Sequence, residues 1–197
     1  MQIYDISQEL FGCCVYPGDP APRREVLSQI KAGAVCNLTA LSLCAHNGTH
    51  VDAPYHFIDD APTVDQMPLS HFVGEAFVAS HTGDVTEEDA RAILARAVAV
   101  SPEAARRILI GGKATVTEAA ASVFRDAGVL LLGNESQTVG PEDAPAAVHR
   151  LLLSAGIALL EGVRLSHVPD GAYFLSAAPL SLAGADGAPA RALLIRF

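Results

Sequence analysis

The hydrophobic period of the chain changes near residue 80. Before that point, apolar and polar positions alternate or form short apolar runs. This predicts strands over 2–6, 11–16, 24–30, 34–44 and 73–79, separated by turns such as Tyr16-Pro17-Gly18-Asp19-Pro20. After it, helical spacing takes over. Thr86-Glu87-Glu88-Asp89 predicts a helix running to about residue 97, with Thr86 as N-cap and Asp89 three residues on in a near capping box. A second helix is expected over 117–127, stopped by Gly128, and a third over 144–155, stopped by Gly156. Between the helices lie apolar runs that suit buried strands at 107–110, 129–132 and 157–160, the last ending on Glu161. Two late strands, at 172–176 and 191–197, close the pattern. A mainly antiparallel first half followed by strand–helix alternation predicts a mixed α/β core with helices packed on one face.

Composition narrows the picture. With 197 residues, half of them apolar, one substantial core in a single domain spanning 1–197 is expected. A net charge of −9 and scattered basic residues, grouped at most as Arg23-Arg24 and Arg106-Arg107, argue against a nucleic-acid or anionic-membrane partner. No apolar run is long enough for a membrane helix. The first residues carry no basic segment followed by an apolar one, so no signal peptide is expected. Cys13, Cys14, Cys36 and Cys44 contain no C-x-x-C pair and are expected as reduced thiols, consistent with a cytoplasmic location.

The candidate chemistry is concentrated in His46-Asn47-Gly48-Thr49-His50-Val51-Asp52-Ala53-Pro54-Tyr55-His56-Phe57. Three of the seven histidines fall within eleven residues here, where even scatter would put about 0.4. Imidazole and carboxylate together suit borderline divalent ions such as Zn²⁺ or Mn²⁺, and a set without thiolate leans toward catalysis. Gly48 permits a tight turn. The β-branched run after it is expected to be extended, which puts His50 and Asp52 on the same face. Pro54 stiffens the exit and brings His56 back alongside. Further ligands are open. His149 lies near the apolar face of the third helix, and Glu161 sits at the carboxyl end of a buried strand. Alone, each reads more readily as something else: His149 as a hydrogen-bonded core histidine, Glu161 as an ordinary strand-end charge. Asn134-Glu135-Ser136-Gln137 follows a buried strand and could line a pocket, while His71, His81 and His167 read as loop residues.

The motif His46-x-Gly48-Thr49-His50-x-Asp52-x-Pro54-x-His56-Phe57 resembles the signature of the cyclase-type metal-dependent hydrolases, a group that includes the bacterial kynurenine formamidases (arylformamidases) and the isatin hydrolases. Tyr16-Pro17-Gly18-Asp19-Pro20, His149 with Leu160-Glu161-Gly162, and the segment from Ala183 to Ala192 resemble further family segments, so the likeness covers most of the chain. It implies a swivelling β/β/α fold, a homodimer or homotetramer, and two divalent ions per subunit, zinc or manganese. Carried over by position, His46, His50 and Asp52 would hold the first ion. Asp52 would bridge to a second held by His149 and Glu161, with His56 as acid/base residue and Tyr16 touching substrate. The implied activity is hydrolysis of a small amide, with N-formyl-L-kynurenine going to L-kynurenine and formate. Cyclic amide or imide hydrolysis of the isatin type, or a metal-dependent lyase or dehydratase reaction, are the alternatives. Tyr16 stands where the kynurenine formamidases carry tryptophan, and Asn134-Glu135-Ser136 departs from their G-x-D-T form.

Overall fold

A computed structural model describes all 197 residues. Its framework is one curled, mixed sheet of nine strands in the order β1-β13-β11-β5-β7-β9-β10-β4-β12. The parallel centre consists of β5 (Val73–Ser80), β7 (Arg107–Gly111), β9 (Leu131–Asn134) and β10 (Ala158–Glu161). Crossovers through α1 (Glu87–Val100), α2 (Glu118–Asp126) and α3 (Ala146–Ser154) connect them. On one flank, β11 (Gly171–Ser176), β13 (Leu193–Arg196) and β1 (Gln2–Asp5) add antiparallel. On the other, β4 (His50–Asp52) pairs antiparallel with both β10 and β12 (Gly187–Pro189).

The central strands are apolar on both faces because both faces are covered. Phe77, Ala79, Ile108, Ile110, Leu132, Ile157 and Leu159 pack beneath the helices. The intervening Ala76, Val78, Leu109, Leu131, Ala158 and Leu160 point the other way, into a second core with Val51, Tyr173, Leu175 and Leu194 from the two flanks. Both flanks share this second core, so the sheet is curled over it and the layers run helix, sheet, sheet. The two-residue period carries a chemical consequence. Glu161 has the same parity as Ile157 and Leu159, so it emerges on the helix side where β10 ends.

The helix signals hold. Thr86 accepts from the amide of Asp89 (3.2 Å) and Asp89 accepts from that of Thr86 (3.0 Å), completing the capping box. Thr117 likewise accepts from the amide of Ala120, and α2 and α3 fall within the expected ranges. The strand expected over 11–16 is absent. Glu9 accepts from the amides of Phe11 and Gly12, winding residues Leu10–Gly12 into a 3₁₀ turn, and Gln8 Oε1 takes the amide of Cys14. Local side-chain acceptors outcompete the ladder there. The expected strands 24–30 and 34–44 shorten to β2 (Arg23–Ser28) and β3 (Leu38–Ser42), because a 3₁₀ turn at Ile30–Ala32 and the Asn37 side chain take up the chain between them. This pair forms a separate two-stranded arm, with Val26, Leu27, Leu38 and Leu41 exposed. A third small sheet joins β6 (Gly83–Val85) to β8 (Ala114–Val116); like β12, these are three-residue strands, too short to show a period. No helix is long and apolar enough to cross a membrane, and all four cysteines are free.

Candidate metal centre

The cluster is assembled from five parts of the fold. Gly48 takes φ +68°, a left-handed turn that lets His46 fold back toward the strand it precedes. On β4, His50 and Asp52 share one face, and the register with β10 sets Glu161 directly across from His50. His149 reaches down from α3, its ring 4.6 Å from that of Phe57. His56 closes a 3₁₀ turn begun by Pro54, and its ring stacks on His46 with centroids 4.0 Å apart.

Two carboxylates interleave three imidazoles. Asp52 Oδ1 is 2.8 Å from His46 Nδ1 and 3.3 Å from His50 Nε2, while its Oδ2 is 3.6 Å from His149 Nε2. Glu161 Oε1 lies 3.2 Å from His149 Nε2, and Oε2 lies 3.5 Å from His50 Nε2. The donor atoms thus form two overlapping groups, His46–His50–Asp52 and Asp52–His149–Glu161, with Asp52 common to both. Two backbone carbonyls orient the rings. Gly48 O accepts from His50 Nδ1 and Pro145 O from His149 Nδ1, each at 2.9 Å. A carbonyl only accepts, so Nδ1 keeps its proton, and when the ring is neutral each Nε2 turns its lone pair to the cluster, the arrangement expected of a metal-binding histidine. The amide of Val139 steadies Glu161 Oε1 at 2.8 Å.

The electrostatics call for a cation. Asp52 and Glu161 are about as buried as side chains become, 1% and 2% exposed, and their ion-pair partners are histidines only, never Lys or Arg. Buried carboxylates need a counter-charge. Here the rings are recruited to supply it. Burial opposes charge on His46, but hydrogen bonds donated to Asp186 and Asp52 and their negative charge raise its pKa to about 11. Burial likewise opposes charge on His50, and Asp52 and Glu161 raise it to about 10. Histidine and carboxylate without thiolate are the donor set of Zn²⁺ or Mn²⁺ centres, so the residues fit a divalent metal.

A pH dependence follows with a definite sign. A folded-state pKa raised above about 6.5 contributes stability that is complete below 6.5 and is lost as pH rises toward about 10 for His50 and about 11 for His46. Protein stripped by a chelator is therefore expected to lose thermal stability between about pH 7 and about pH 9. Divalent metal should bind more tightly over that range, because it displaces ring protons. Melting curves with and without zinc should draw apart as pH rises; curves that converge would contradict this account.

Above the cluster lies a cavity of about 230 Å³, walled by Tyr16, Asp19, His56, Phe57, Gln137, Thr138 and Pro145. No Lys or Arg reaches it. Tyr16 is anchored through its hydroxyl, which donates to Glu142 O at 2.9 Å. Gln137 Oε1 and Thr138 Oγ1 are buried without a hydrogen-bond partner in the protein. All seven residues singled out from the sequence, His46, His50, Asp52, His56, His149, Glu161 and Tyr16, thus meet at this cavity and the cluster beneath it. Of the stretch 134–137, only Gln137 does so. Asn134 donates to Ala114 O and Thr138 O, and Glu135 takes the amides of Gly112 and Leu165, so both serve the backbone. His71, His81 and His167 stay outside the cluster. Asp186 was missed. It hydrogen-bonds both His46 and His56, and the signal for it in the sequence is its place in the Gly-Ala-Asp-Gly stretch of the family-like segment from Ala183 to Ala192.

Fold and centre together place the chain among the metal-dependent hydrolases. The chain belongs to the Cyclase family, whose model matches residues 4–139. It is 34% identical to the kynurenine formamidase of Salinibacter ruber, covering 98% of this chain and 97% of that one. A solved structure described as a potential metal-dependent hydrolase with cyclase activity superposes with a TM-score of 0.81 at 27% identity, over 98% of this chain and 96% of the other. Isatin hydrolase A from Labrenzia aggregata shares the fold, with a TM-score of 0.82 at 23% identity over 98% and 93%.

Proposed function

We propose that the protein is an arylformamidase-like amidohydrolase that converts N-formyl-L-kynurenine to L-kynurenine and formate, or a related aryl amide to its amine and acid, acting in the cytoplasm as a homodimer or homotetramer. The observation that carries this is the pair of buried carboxylates interleaved with three imidazoles beneath a small cavity that also holds His56. The full-length likeness to a kynurenine formamidase supports the choice of substrate. The exposed apolar arm of β2 and β3 offers a surface for a second copy, which sedimentation would measure.

In this reading His46, His50 and Asp52 hold one divalent ion, and Asp52, His149 and Glu161 hold a second, zinc first and manganese next. When bound, such a pair lowers the pKa of water and polarises an amide carbonyl. The chain supplies the rest. His56 takes a proton from the attacking water and returns one to the departing nitrogen, so that water adds across the C–N bond with no net gain or loss of protons. An anilide nitrogen leaves more readily than an alkyl amine. Tyr16 forms a fixed aromatic wall against an aryl ring, and Gln137 Oε1 and the Thr138 hydroxyl meet its polar substituents. The lack of Lys or Arg favours a substrate neutral at its reacting end.

A spectrophotometric comparison on zinc- and manganese-loaded protein tests the assignment. N-formyl-L-kynurenine should be hydrolysed faster than isatin or small cyclic imides. Turnover of isatin alone would move the assignment to cyclic amides, and turnover of phosphoesters alone would remove it from amide chemistry.

A further inference from the structure

One carboxylate oxygen outside the two donor groups touches two rings. Asp186 Oδ2 lies 2.9 Å from His46 Nε2 and 3.1 Å from His56 Nδ1. These three residues also bring ligand-type atoms close together, but they do not suit an ion of their own. His46 already turns Nδ1 to Asp52, and metals on both of its nitrogens would require a fully deprotonated imidazolate. Hydrogen bonding is the simpler chemistry. A carboxylate oxygen only accepts, so both nitrogens facing it are N–H donors. By the same rule His46 Nδ1, 2.8 Å from Asp52 Oδ1, is a donor while no cation is bound; a cation in the centre would displace that proton, leaving His46 protonated on Nε2 with the Nδ1 lone pair toward the centre. His56 keeps its proton on Nδ1, and its Nε2 becomes the proton acceptor. The rings are set in opposite tautomers by one atom.

The backbone around Asp186 is built to hold it there. The amide of Gly184 donates to Asp65 Oδ1 (3.0 Å), that of Val64 to Ala185 O (2.9 Å), and that of Ala53 to Asp186 O (2.9 Å). Gly187 pairs with Asp52 in the β12–β4 ladder, and a Cβ there would come within 2.8 Å of His46 Cε1. The missing side chain is what allows the His46 ring to lie against this strand and reach Asp186.

We propose that Asp186 is a positioning residue that locks His46 and His56 in complementary tautomers, coupling the metal-binding ring to the proton-carrying ring. The proposal rests on the roles given to His46 and His56 above. Removing a partner of this kind typically costs about 10–100-fold in activity or metal affinity.

The test is a pair of variants, Asp186→Ala and Asp186→Asn, made in the parent and in His56→Ala. Long-range ¹H–¹⁵N spectra of the histidine rings in zinc-loaded protein report the tautomers directly. The parent should show His56 protonated at Nδ1, and Asp186→Ala should redistribute that proton. Asp186→Asn keeps an acceptor oxygen, so it should retain the tautomer and lose less activity, which also guards against a folding artefact. At saturating zinc, Asp186→Ala should lower kcat by about 10–100-fold in the parent, but by under about threefold when His56 is already alanine. Unchanged tautomers in Asp186→Ala, or equal losses in both backgrounds, would overturn the proposal. The spectra need no substrate. If no amide is turned over by the parent, the proposed function fails while the tautomer result still decides the role of Asp186.

Discussion

Replacing His56 with alanine is expected to leave the metal content of the protein unchanged while lowering turnover by about 10²–10⁴-fold, the usual contribution of a general acid/base group. The geometry separates the two effects. His56 belongs to neither donor group that shares Asp52; it stacks on His46 and lines the cavity above. Its half-buried ring can reach solvent and substrate, whereas His50, Asp52, His149 and Glu161 are closed in. Metal analysis and kcat on the same preparation decide the matter. A variant as active as the parent at saturating zinc would make His56 structural, and Glu161 would be the next residue to test as proton carrier.

Loss of Asp52 should be more damaging still. Its two oxygens face different rings, Oδ1 toward His46 and His50 and Oδ2 toward His149. Asp52→Ala is therefore expected to weaken metal binding at both positions by more than about 100-fold, beyond what outer partners of ligands typically cost, and to abolish turnover. His149→Ala should instead empty one position and leave close to one ion per chain. His50→Ala should also lose metal. Equilibrium dialysis with zinc distinguishes these outcomes. If Asp52→Ala retains one ion with affinity near the parent's, the two positions do not share a ligand.

What the sequence reveals divides along a physical line. Helices announced themselves through local chemistry, as Thr86 and Asp89 show, and the central strands through runs such as 157–160 that are apolar on both faces. The donor-rich run from His46 to His56 is compact enough to carry its chemistry within a dozen residues. His149 and Glu161 were ambiguous from local pattern alone. What joins them to β4 is the β4–β10 register and the descent of α3, contacts roughly a hundred residues apart along the chain, and only family resemblance stands in for that information. Asp186 lies in a segment that the resemblance covers, yet neither route gives it a role, because its significance lies in two hydrogen bonds across 130 and 140 residues. The false strand at 11–16 has the opposite origin. Glu9 and Gln8 offer the backbone there closer acceptors than any neighbouring strand.

The carbonyls of Gly48 and Pro145 decide which nitrogen His50 and His149 turn inward. Both acceptors belong to the main chain, so no side-chain replacement at positions 48 or 145 deletes them; only a change in the path of the chain can. The orientation of these two rings thus depends on the path of the chain, which the left-handed Gly48 sets, rather than on the side chains that line the cavity. Tyr16, Gln137 and Thr138, whose side chains form the cavity wall, have no such protection and can be exchanged one at a time. A molecule built this way can change what it admits while the two imidazoles beneath continue to present the same lone pairs.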